Sequence, residues 1–245
     1  MSEPIKALSW NMQAGMGTRR LRDYALRVHE NILPAGKAAR LIHASKQLTS
    51  FDLVGIQECD LGSWRSGNAH QGHLLAATTF QHHAFHTSRR ISKVAGSGLA
   101  LLSKYPLVDS EGHALPSRLP GRGALSARVE TPQGLLRVLV VHFSLGWRDQ
   151  AQQWDWVRRW VDRSPLPSLI MGDFNVGPGC PLFDSVLEDW GESFLAPPSF
   201  PSWRPSKALD HILVQGVRAS APEVFDPGVS DHLGMARKIW LPGDS

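Results

Sequence analysis

The chain has 245 residues, a formal net charge of +4 and a hydrophobic fraction of 42%, which is enough apolar material for one large core. The apolar runs are short, such as residues 138–141, so no segment approaches the ~20 residues that a membrane helix needs. The first ten residues do not join a basic start to a long apolar stretch, so we expect no secretory signal and a cytoplasmic location. No linker stands out by its composition, and we predict a single domain over residues 1–245.

The cysteines and the charges exclude some classes of protein and leave others open. Cys59 and Cys180 are the only cysteines, too few for a disulfide framework or a structural zinc site. Residues 1–125 hold 15 Lys and Arg against 8 Asp and Glu, whereas residues 126–245 hold 11 against 14. The basic excess can steer phosphate-bearing partners or simply solvate a surface. The same two interpretations, a basic flap for a polyanion or a solvated helix, apply to the cluster of Arg19, Arg20, Arg22 and Arg27.

Apolar runs that predict strands recur along the whole chain. Several are continuous rather than alternating, as expected for strands that are buried on both faces. They occupy residues 5–11, 53–58, 98–107, 125–130, 136–144, 168–175, 209–214 and 235–241. Helical spacing of apolar residues predicts helices at about residues 36–50 and 149–163. The pattern alone therefore indicates a mixed α/β domain whose central sheets are covered by helices.

Other segments are less regular. The helix at 149–163 carries Trp154, Trp156 and Trp160, and we interpret these rings as packing against a sheet rather than stacking on bases or a membrane. Residues 177–206 are rich in proline and predict a loop with one short helix near 182–190. Residues 12–35 and 59–97 lack clean periodicity, and we predict surface excursions there, close to the strand ends where sites are usually built.

Polar side chains mark the ends of the predicted apolar strands. An ionisable group at such a place is costly unless it is paired or bound to a metal, and strand ends of one sheet lie together in space. A single residue of this kind is more often a satisfied core group, but a whole set indicates a site. The set comprises Asn11, Gln57, Glu58, His142, Asp173, Asn175, Asp210, His211, Asp231 and His232.

The residue types in this set narrow the chemistry. Carboxylates and carboxamides without cysteine are hard oxygen donors, which suit Mg²⁺ or Mn²⁺. Such a metal beside histidines and a further carboxylate is suited to the attack of water on a phosphate ester. The sequence contains neither a GxSxG elbow nor a GxxxxGK phosphate loop, so serine hydrolases and nucleotide kinases lose their main support.

The ordered series of motifs resembles the endonuclease/exonuclease/phosphatase superfamily. It runs from SWN (9–11) through GIQE (55–58), GSGLALLSKYPL (96–107), VVHFSLG (140–146), GDFN (172–175) and LDHILV (209–214) to SDH (230–232). The resemblance implies a four-layer α/β sandwich of two packed, mainly antiparallel sheets flanked by helices. It also implies a hydrolase of phosphate esters that uses a divalent cation.

The resemblance implies a role for each matching residue. Glu58 matches the principal metal ligand, with Asn11 and Asp231 close to the metal, and Asp173 matches the residue that orients or deprotonates the attacking water. Asn175 would bind the scissile phosphate, and His142 could protonate the leaving oxygen. His232 would contact the phosphate while Asp210 favours its charged form. His211 would point to the opposite face of its strand.

The substrate is less defined than the chemistry. His142 stands where apurinic endonucleases usually have tyrosine, which argues against that branch, and residues 57–76 and 200–214 look most like small bacterial members. Arg65, Arg148 and Arg204 are candidate substrate contacts, although each alone is more often a surface arginine. We expect a phosphodiesterase or nuclease. The alternatives are a hydrolase of phospholipid head groups, phosphoinositides or sugar phosphates, and, with less support, a non-catalytic binding protein; no obligate protein partner is evident.

Overall fold

The computed structural model describes residues 2–15, 37–77, 79–91 and 94–242. The strands are β1 (Ile5–Asn11), β2 (Leu53–Cys59), β3 (His82–Ile91), β4 (Ala95–Ser103), β5 (Leu107–Ala114), β6 (Gly123–Thr131), β7 (Gly134–His142), β8 (Ser168–Asp173), β9 (Asp210–Gln215), β10 (Arg218–Ala219), β11 (Glu223–Phe225) and β12 (Gly234–Trp240). The helices are α1 (Lys37–Leu48), α2 (Gln71–Ala76), α3 (Trp147–Asp162) and α4 (Pro181–Asp189), with 3-10 turns at Gln13–Gly15 and Trp64–Ser66. None of the helices in these ranges is long and apolar enough to cross a membrane.

The strands form two sheets of seven and five strands. The first has the order β10-β12-β1-β2-β4-β3, with β11 pairing with β12 off this path, and the second has the order β5-β6-β7-β8-β9. Every pairing is antiparallel except β1 with β2 and β7 with β8. The predicted sandwich of two mainly antiparallel sheets is therefore confirmed.

The main core lies between the two sheets. It is made of aliphatic side chains from both inner faces, including Ile5 and Leu101 from the first sheet and Val138 and Met171 from the second. Gly55 on β2 allows the sheets to approach closely, because a Cβ there would lie only 2.6 Å from Sδ of Met171. The apolar contact between the sheets thus sets how far apart the two sets of strand ends are held.

Helices cover both outer faces and complete the four layers. Leu41 of α1 and Leu75 of α2 join the core on the outer face of the first sheet. On the second sheet, Trp154 of α3 is fully buried and stacks on Phe174, with 4.9 Å between the ring centroids. Trp154 therefore packs against the sheet, as the sequence predicted.

The structure contains elements that the sequence did not predict. The short strands β10 and β11 are two of them, and α2 lies within residues 59–97, where only a surface excursion was predicted. The longer ones are two edge strands: β3, which also lies within 59–97, and β5, which begins at Leu107, whereas the strand predicted at 98–107 ends as β4 at Ser103. Each pairs along only one side, β3 with β4 and β5 with β6. Because both strands are polar and partly exposed, they lack the continuous apolar run by which the other strands were recognised.

Candidate active site

The predicted site residues meet where the ends of the two sheets come together. Parallel pairing places the ends of β1 and β2 side by side, and in the second sheet His142 lies opposite Asp173, which lies opposite Asp210. Asn11 connects the two sheets, since its Nδ2 donates to Oε1 of Glu58 at 3.2 Å and to Oδ2 of Asp173 at 3.0 Å. One carboxamide thus holds two carboxylates from different sheets at fixed positions.

Glu58 adopts an unusual backbone conformation. Its φ is +56°, in the left-handed region, and the register between β2 and β4 breaks between Ile56 and Cys59. Such a conformation in a residue other than glycine costs about 1–3 kcal/mol, and bulges of this kind commonly re-aim a side chain near a site. The Glu58 side chain is 36% exposed, so it faces the open cleft while its neighbours on β2 are buried.

Gln13 links the carboxylate of Asp231 to Asn11 at the end of β1. The Gln13 backbone N–H donates to Oδ1 of Asn11 at 3.1 Å, and its side-chain Nε2 donates to Oδ2 of Asp231 at 3.0 Å. Gln13 was not among the residues chosen from the sequence. It lies two positions after Asn11, so the side-chain alternation of an extended chain would have placed it on the same face.

Asp173 is buried and has two hydrogen bonds from amides. In addition to Asn11, the backbone N–H of Asn175 donates to its Oδ1 at 2.9 Å. Burial, together with the charge of Asp210, raises the pKa of Asp173 to about 7. The carboxyl group is therefore placed to take up or release a proton near neutral pH.

His232 and Asp210 form a buried ion pair. His232 Nδ1 lies 2.8 Å from Oδ2 of Asp210, which also accepts a 2.5 Å hydrogen bond from Oγ of Ser199. Burial opposes the charge of His232, but the carboxylate of Asp210 outweighs it and raises the pKa of His232 to about 10. The imidazole is therefore charged at neutral pH, as the sequence predicted for this pair. Ser199 lies in the proline-rich loop and carries no local signal that would have identified it.

His142 is held by an arginine that the sequence analysis did not select. Nη1 of Arg122 donates to Nε2 of His142, and because arginine only donates, this nitrogen must be the acceptor of a neutral ring. Burial, followed by the positive charges of Arg122 and His232, holds the pKa of His142 well below its usual range. This arrangement does not favour His142 as the donor of a proton, because the positive charge at this point belongs to Arg122.

Asn175 has a structural contact that the sequence did not predict. Its Nδ2 donates to the carbonyl of Phe143 at 2.9 Å, and its φ of +52° is one that asparagine tolerates better than most residues. The side chain thereby ties the end of β8 to the end of β7. Its predicted contact with the scissile phosphate stays a prediction.

The substrate contacts predicted for Arg65, Arg148 and Arg204 stay predictions. Arg148 is exposed and lies 5.2 Å from the ring centroid of Trp147, and Arg204 is exposed in the loop before β9. The side chain of Arg65 lies outside the described part of the structure, as do the four arginines between residues 19 and 27. The arginines that line the central cleft are instead Arg89 and Arg122.

His211 lies on the opposite face from Asp210. It is buried against Phe174 and Phe183, and its Nε2 lies 2.9 Å from the carbonyl of Val176. Burial lowers the pKa of His211 to about 4. His211 is therefore a neutral component of the outer core and takes no part in the candidate site.

The cleft that Glu58 and His142 line has a volume of about 220 Å³. At roughly 30 Å³ for each water in the liquid, this is room for about seven water molecules. Its lining combines the acidic Glu58 with His142 and two arginines, and backbone from two glycine-containing segments completes it: Glu58, Arg89, Ala95, Gly96, Ser97, Pro120, Gly121, Arg122 and His142.

The sequence profile of the Endonuclease/Exonuclease/phosphatase family matches residues 8–232, a range that contains every group described above. The chain belongs to this family. Its members are hydrolases that act on phosphate esters, and they generally depend on a metal ion. A search of curated protein sequences finds no match to the chain.

Solved structures of the endonuclease/exonuclease/phosphatase fold superimpose on nearly the whole chain. A family protein from Beutenbergia cavernae is 21% identical with a TM-score of 0.75, covering 99% of this chain and 72% of its own. The mannosyl-6-phosphatase Bt3783 of Bacteroides thetaiotaomicron is 17% identical with a TM-score of 0.66, covering 96% and 99%. A humanized TDP2 from D. rerio is 15% identical with a TM-score of 0.67, covering 97% and 99%. At these identities the similarity establishes the fold alone.

The site fits the metal ion on which this family depends. Asp173, Asp210 and His232 are buried and offer ligand atoms within 4.8 Å of one another, so this cluster could bind a metal. However, a charged His232 that is paired with Asp210 cannot give a lone pair to a cation. Glu58 and Asp231 accept hydrogen bonds from the amides of Asn11 and Gln13, and their carboxylates are hard oxygen donors of the kind that a divalent cation prefers.

Proposed function

We propose that the protein is a divalent-metal-dependent phosphodiesterase or nuclease in which an activated water attacks phosphorus. The observation that carries this proposal is a pair of buried groups, Asp173 and His232, whose ligand atoms lie within 4.8 Å of each other. Burial, with the charge of Asp210, raises the pKa of Asp173 to about 7, and the Asp210 carboxylate, acting against burial, raises the pKa of His232 to about 10. A carboxyl group that titrates near neutral pH beside an imidazole that stays charged is suited to a base and a charge-stabilising role in catalysis.

Each residue has a proposed part in the reaction. Mg²⁺ or Mn²⁺ held by Glu58 and Asp231 would offset charge on the phosphoryl oxygens. Asp173 would accept a proton from the attacking water, with its carboxylate fixed by the amide of Asn11 and the backbone N–H of Asn175. His232 would donate a hydrogen bond from Nε2 to a phosphoryl oxygen, because Nδ1 is already occupied by Asp210.

The hydrogen bonds of Asn11 favour a positioning role over that of a metal ligand alone. Its Nδ2 points toward the two carboxylates and its Oδ1 accepts from Gln13. We therefore propose that Asn11 acts mainly by positioning Glu58 and Asp173, with its oxygen near the metal. Asn175 would contact the substrate phosphate, and His142 would hold the Arg122 side chain at the edge of the cleft.

The test is a hydrolysis assay of purified protein with bis(p-nitrophenyl) phosphate, DNA and RNA, in Mg²⁺ or Mn²⁺ and in EDTA. We expect metal-dependent cleavage that Asp173→Asn lowers by about 10²–10⁴-fold, the usual contribution of general base catalysis. Asp155→Asn, on the exposed face of α3, is the matched control and should retain full rate. Activity that survives both chelation and the Asp173 change would contradict the proposal.

A phospholipid substrate is the second candidate, and one observation favours it. Three large apolar side chains stand exposed on the chain segments next to Pro120 and His142, which line the cleft: Leu119 at 73%, Leu145 at 77% and Trp147 at 70%. Their two loops are joined by Arg118, whose Nε donates to Asp149 at 3.0 Å, and by a 2.9 Å hydrogen bond between Ser117 and Ser144. Such side chains at the mouth of a site are suited to contact with a lipid surface.

Sedimentation with phosphatidylcholine and phosphatidylserine vesicles separates this candidate from the first. A lipid hydrolase should bind vesicles and release head groups, and a Leu119→Ser/Leu145→Ser/Trp147→Ser variant should lose both. Val224→Ser, an exposed apolar position on β11, is the control. Protein that remains in the supernatant and cleaves only nucleic acid would eliminate the lipid candidate.

A further inference from the structure

We propose that Arg89 and Arg122 form a second anion subsite beside the position of the scissile phosphate, so that the preferred substrate carries a second phosphate group. This inference rests on the proposed phosphate-ester hydrolysis and deepens it. The shared chemistry is a second phosphate, supplied either by the next nucleotide of a nucleic acid or by a small molecule with two phosphates.

Both arginines face the cleft without an acidic partner. Among the described residues, neither forms an ion pair with a carboxylate, although Arg118, Arg128, Arg158 and Arg237 all do. The guanidinium of Arg122 contacts only the neutral ring of His142. Two unpaired guanidinium groups in one concave surface favour an anion, and their planar donors match a phosphate in a bidentate geometry.

The backbone around Arg89 keeps its side chain at the edge of the cleft. A Cβ at Gly121 would lie 3.1 Å from Cδ and 3.2 Å from Cβ of Arg89, so the aliphatic stem lies directly against this glycine. Gly121 has a φ of +106°, which favours glycine. Gly121 thus packs against the Arg89 stem, and Arg122 is the next residue in the chain. The two arginines therefore lie near each other in the lining of the cleft.

The two arginines differ from the other positive charges of the site in having no carboxylate of their own. In the proposed mechanism, the metal would be matched by Glu58 and Asp231, and His232 is paired with Asp210. Among the described residues, Arg89 and Arg122 have no such partner, and they line the same cleft. A second phosphate on the substrate would balance them, and the cleft volume of about 220 Å³ leaves space for more than one phosphate group.

The experiment compares substrates that share one scissile bond. The p-nitrophenyl ester of thymidine 5′-phosphate is assayed with and without a 3′-phosphate. Glucose 1,6-bisphosphate is compared with glucose 6-phosphate by loss of the 6-phosphate alone, measured as the glucose 1-phosphate or glucose that forms. We expect the second phosphate to raise kcat/KM by roughly 10- to 100-fold, the range for hydrogen bonds to charged groups. Preference within the nucleotide pair would identify nucleic acid as the source, and preference within the sugar pair a small molecule.

The variants assign the preference to the arginines. Arg89→Gln should reduce the ratio of kcat/KM values between the two members of the preferred pair to near one, whereas Arg122→Lys should retain part of it. Arg159→Gln, an exposed arginine on α3, should leave the ratio unchanged. Equal use of both members by the wild type, or an equal loss on both members in Arg89→Gln, would overturn the subsite.

A binding measurement keeps this inference separate from the proposed reaction. Calorimetric titration with thymidine 3′,5′-bisphosphate in EDTA reports the subsite without any hydrolysis. If the wild type binds it and Arg89→Gln does not, while no substrate is cleaved, the subsite stands and the proposed reaction fails. If neither cleavage nor binding that depends on Arg89 occurs, both proposals fail.

Discussion

The site has two walls that differ in how their carboxylates are held. In the first wall, Glu58 at the end of β2 and Asp231 just before β12 accept hydrogen bonds from the amides of Asn11 and Gln13. In the second wall, at the end of β8 and the start of β9, the carboxylate of Asp210 forms an ion pair with His232. An amide positions a carboxylate without cancelling its charge, whereas an ion pair cancels it. In the proposed function, the first wall would hold the metal cation and the second would move protons.

The largest expected effect comes from removing a charge from the first wall. Glu58→Gln should lower metal-dependent hydrolysis by at least about 100-fold, since even indirect partners of a metal are worth 10- to 100-fold. It should also raise the melting temperature in EDTA, because a negative charge that Asn11 holds beside Asp173 is removed, and reduce the stabilisation by added Mn²⁺. Glu188→Gln, an exposed carboxylate on α4, is the control. Unaltered stabilisation by Mn²⁺ in Glu58→Gln would place the cation elsewhere.

A smaller effect is expected on the stability of the fold at acidic pH, through His211 on the outer face of the second sheet. The pKa of the buried His211 is lowered to about 4, while an unfolded histidine titrates near 6.5. As the pH falls from about 6.5 to about 4, the unfolded state binds this proton first, so stability that is complete above this window is lost within it. The difference corresponds to about 3 kcal/mol.

The measurement for His211 is urea unfolding as a function of pH. His211→Gln retains a donor for the Val176 carbonyl and cannot take up the proton, so its stability should fall less steeply between pH 6.5 and pH 4. His43→Asn, an exposed histidine on α1, should follow the wild type. Parallel curves for wild type and His211→Gln would show that His211 is not the group responsible.

A substitution in the core between the two sheets should change the distance between the two walls of the site. Gly55→Ala places a Cβ 2.6 Å from Sδ of Met171 and 3.0 Å from Cγ2 of Val140, and overpacking of this kind costs about 1–3 kcal/mol. We expect a lower urea midpoint together with a loss of activity. Adding Met171→Ala should recover part of both, which a double-mutant cycle measures. Strictly additive losses would argue against a contact between the two side chains.

The smallest effect is a difference between the two thiols. Cys59 follows Glu58 on the first sheet, where it is buried, and burial raises the pKa of its thiol far above the usual range. Cys180 is partly exposed before α4. Native protein should therefore react with one equivalent of Ellman's reagent, and Cys180→Ser should abolish that reaction until the protein is unfolded. Rapid reaction of native Cys180→Ser would show that the first wall opens readily.

The sequence predicted the buried strands and the residues at their ends because both carry a local signal. Continuous apolar runs marked β1, β2, β7 and β8, and polar residues stood out at their ends. The polar edge strand β3 gave no such run, and Arg89 within it gave no signal either. Arg122 lies in a loop, and its contact with His142 depends on how two loops meet in space, which no local pattern encodes.

The order of the groups along the chain has a consequence for synthesis. Asn11 lies on β1, between β2 and β12 in the first sheet, and both Asp231 and His232 come just before β12. During synthesis, all strands of the second sheet and most strands of the first are therefore made before Asp231 and His232. Hydrolysis of a phosphate ester should therefore begin only when β12 pairs with β1, so that shorter translation products would be inactive.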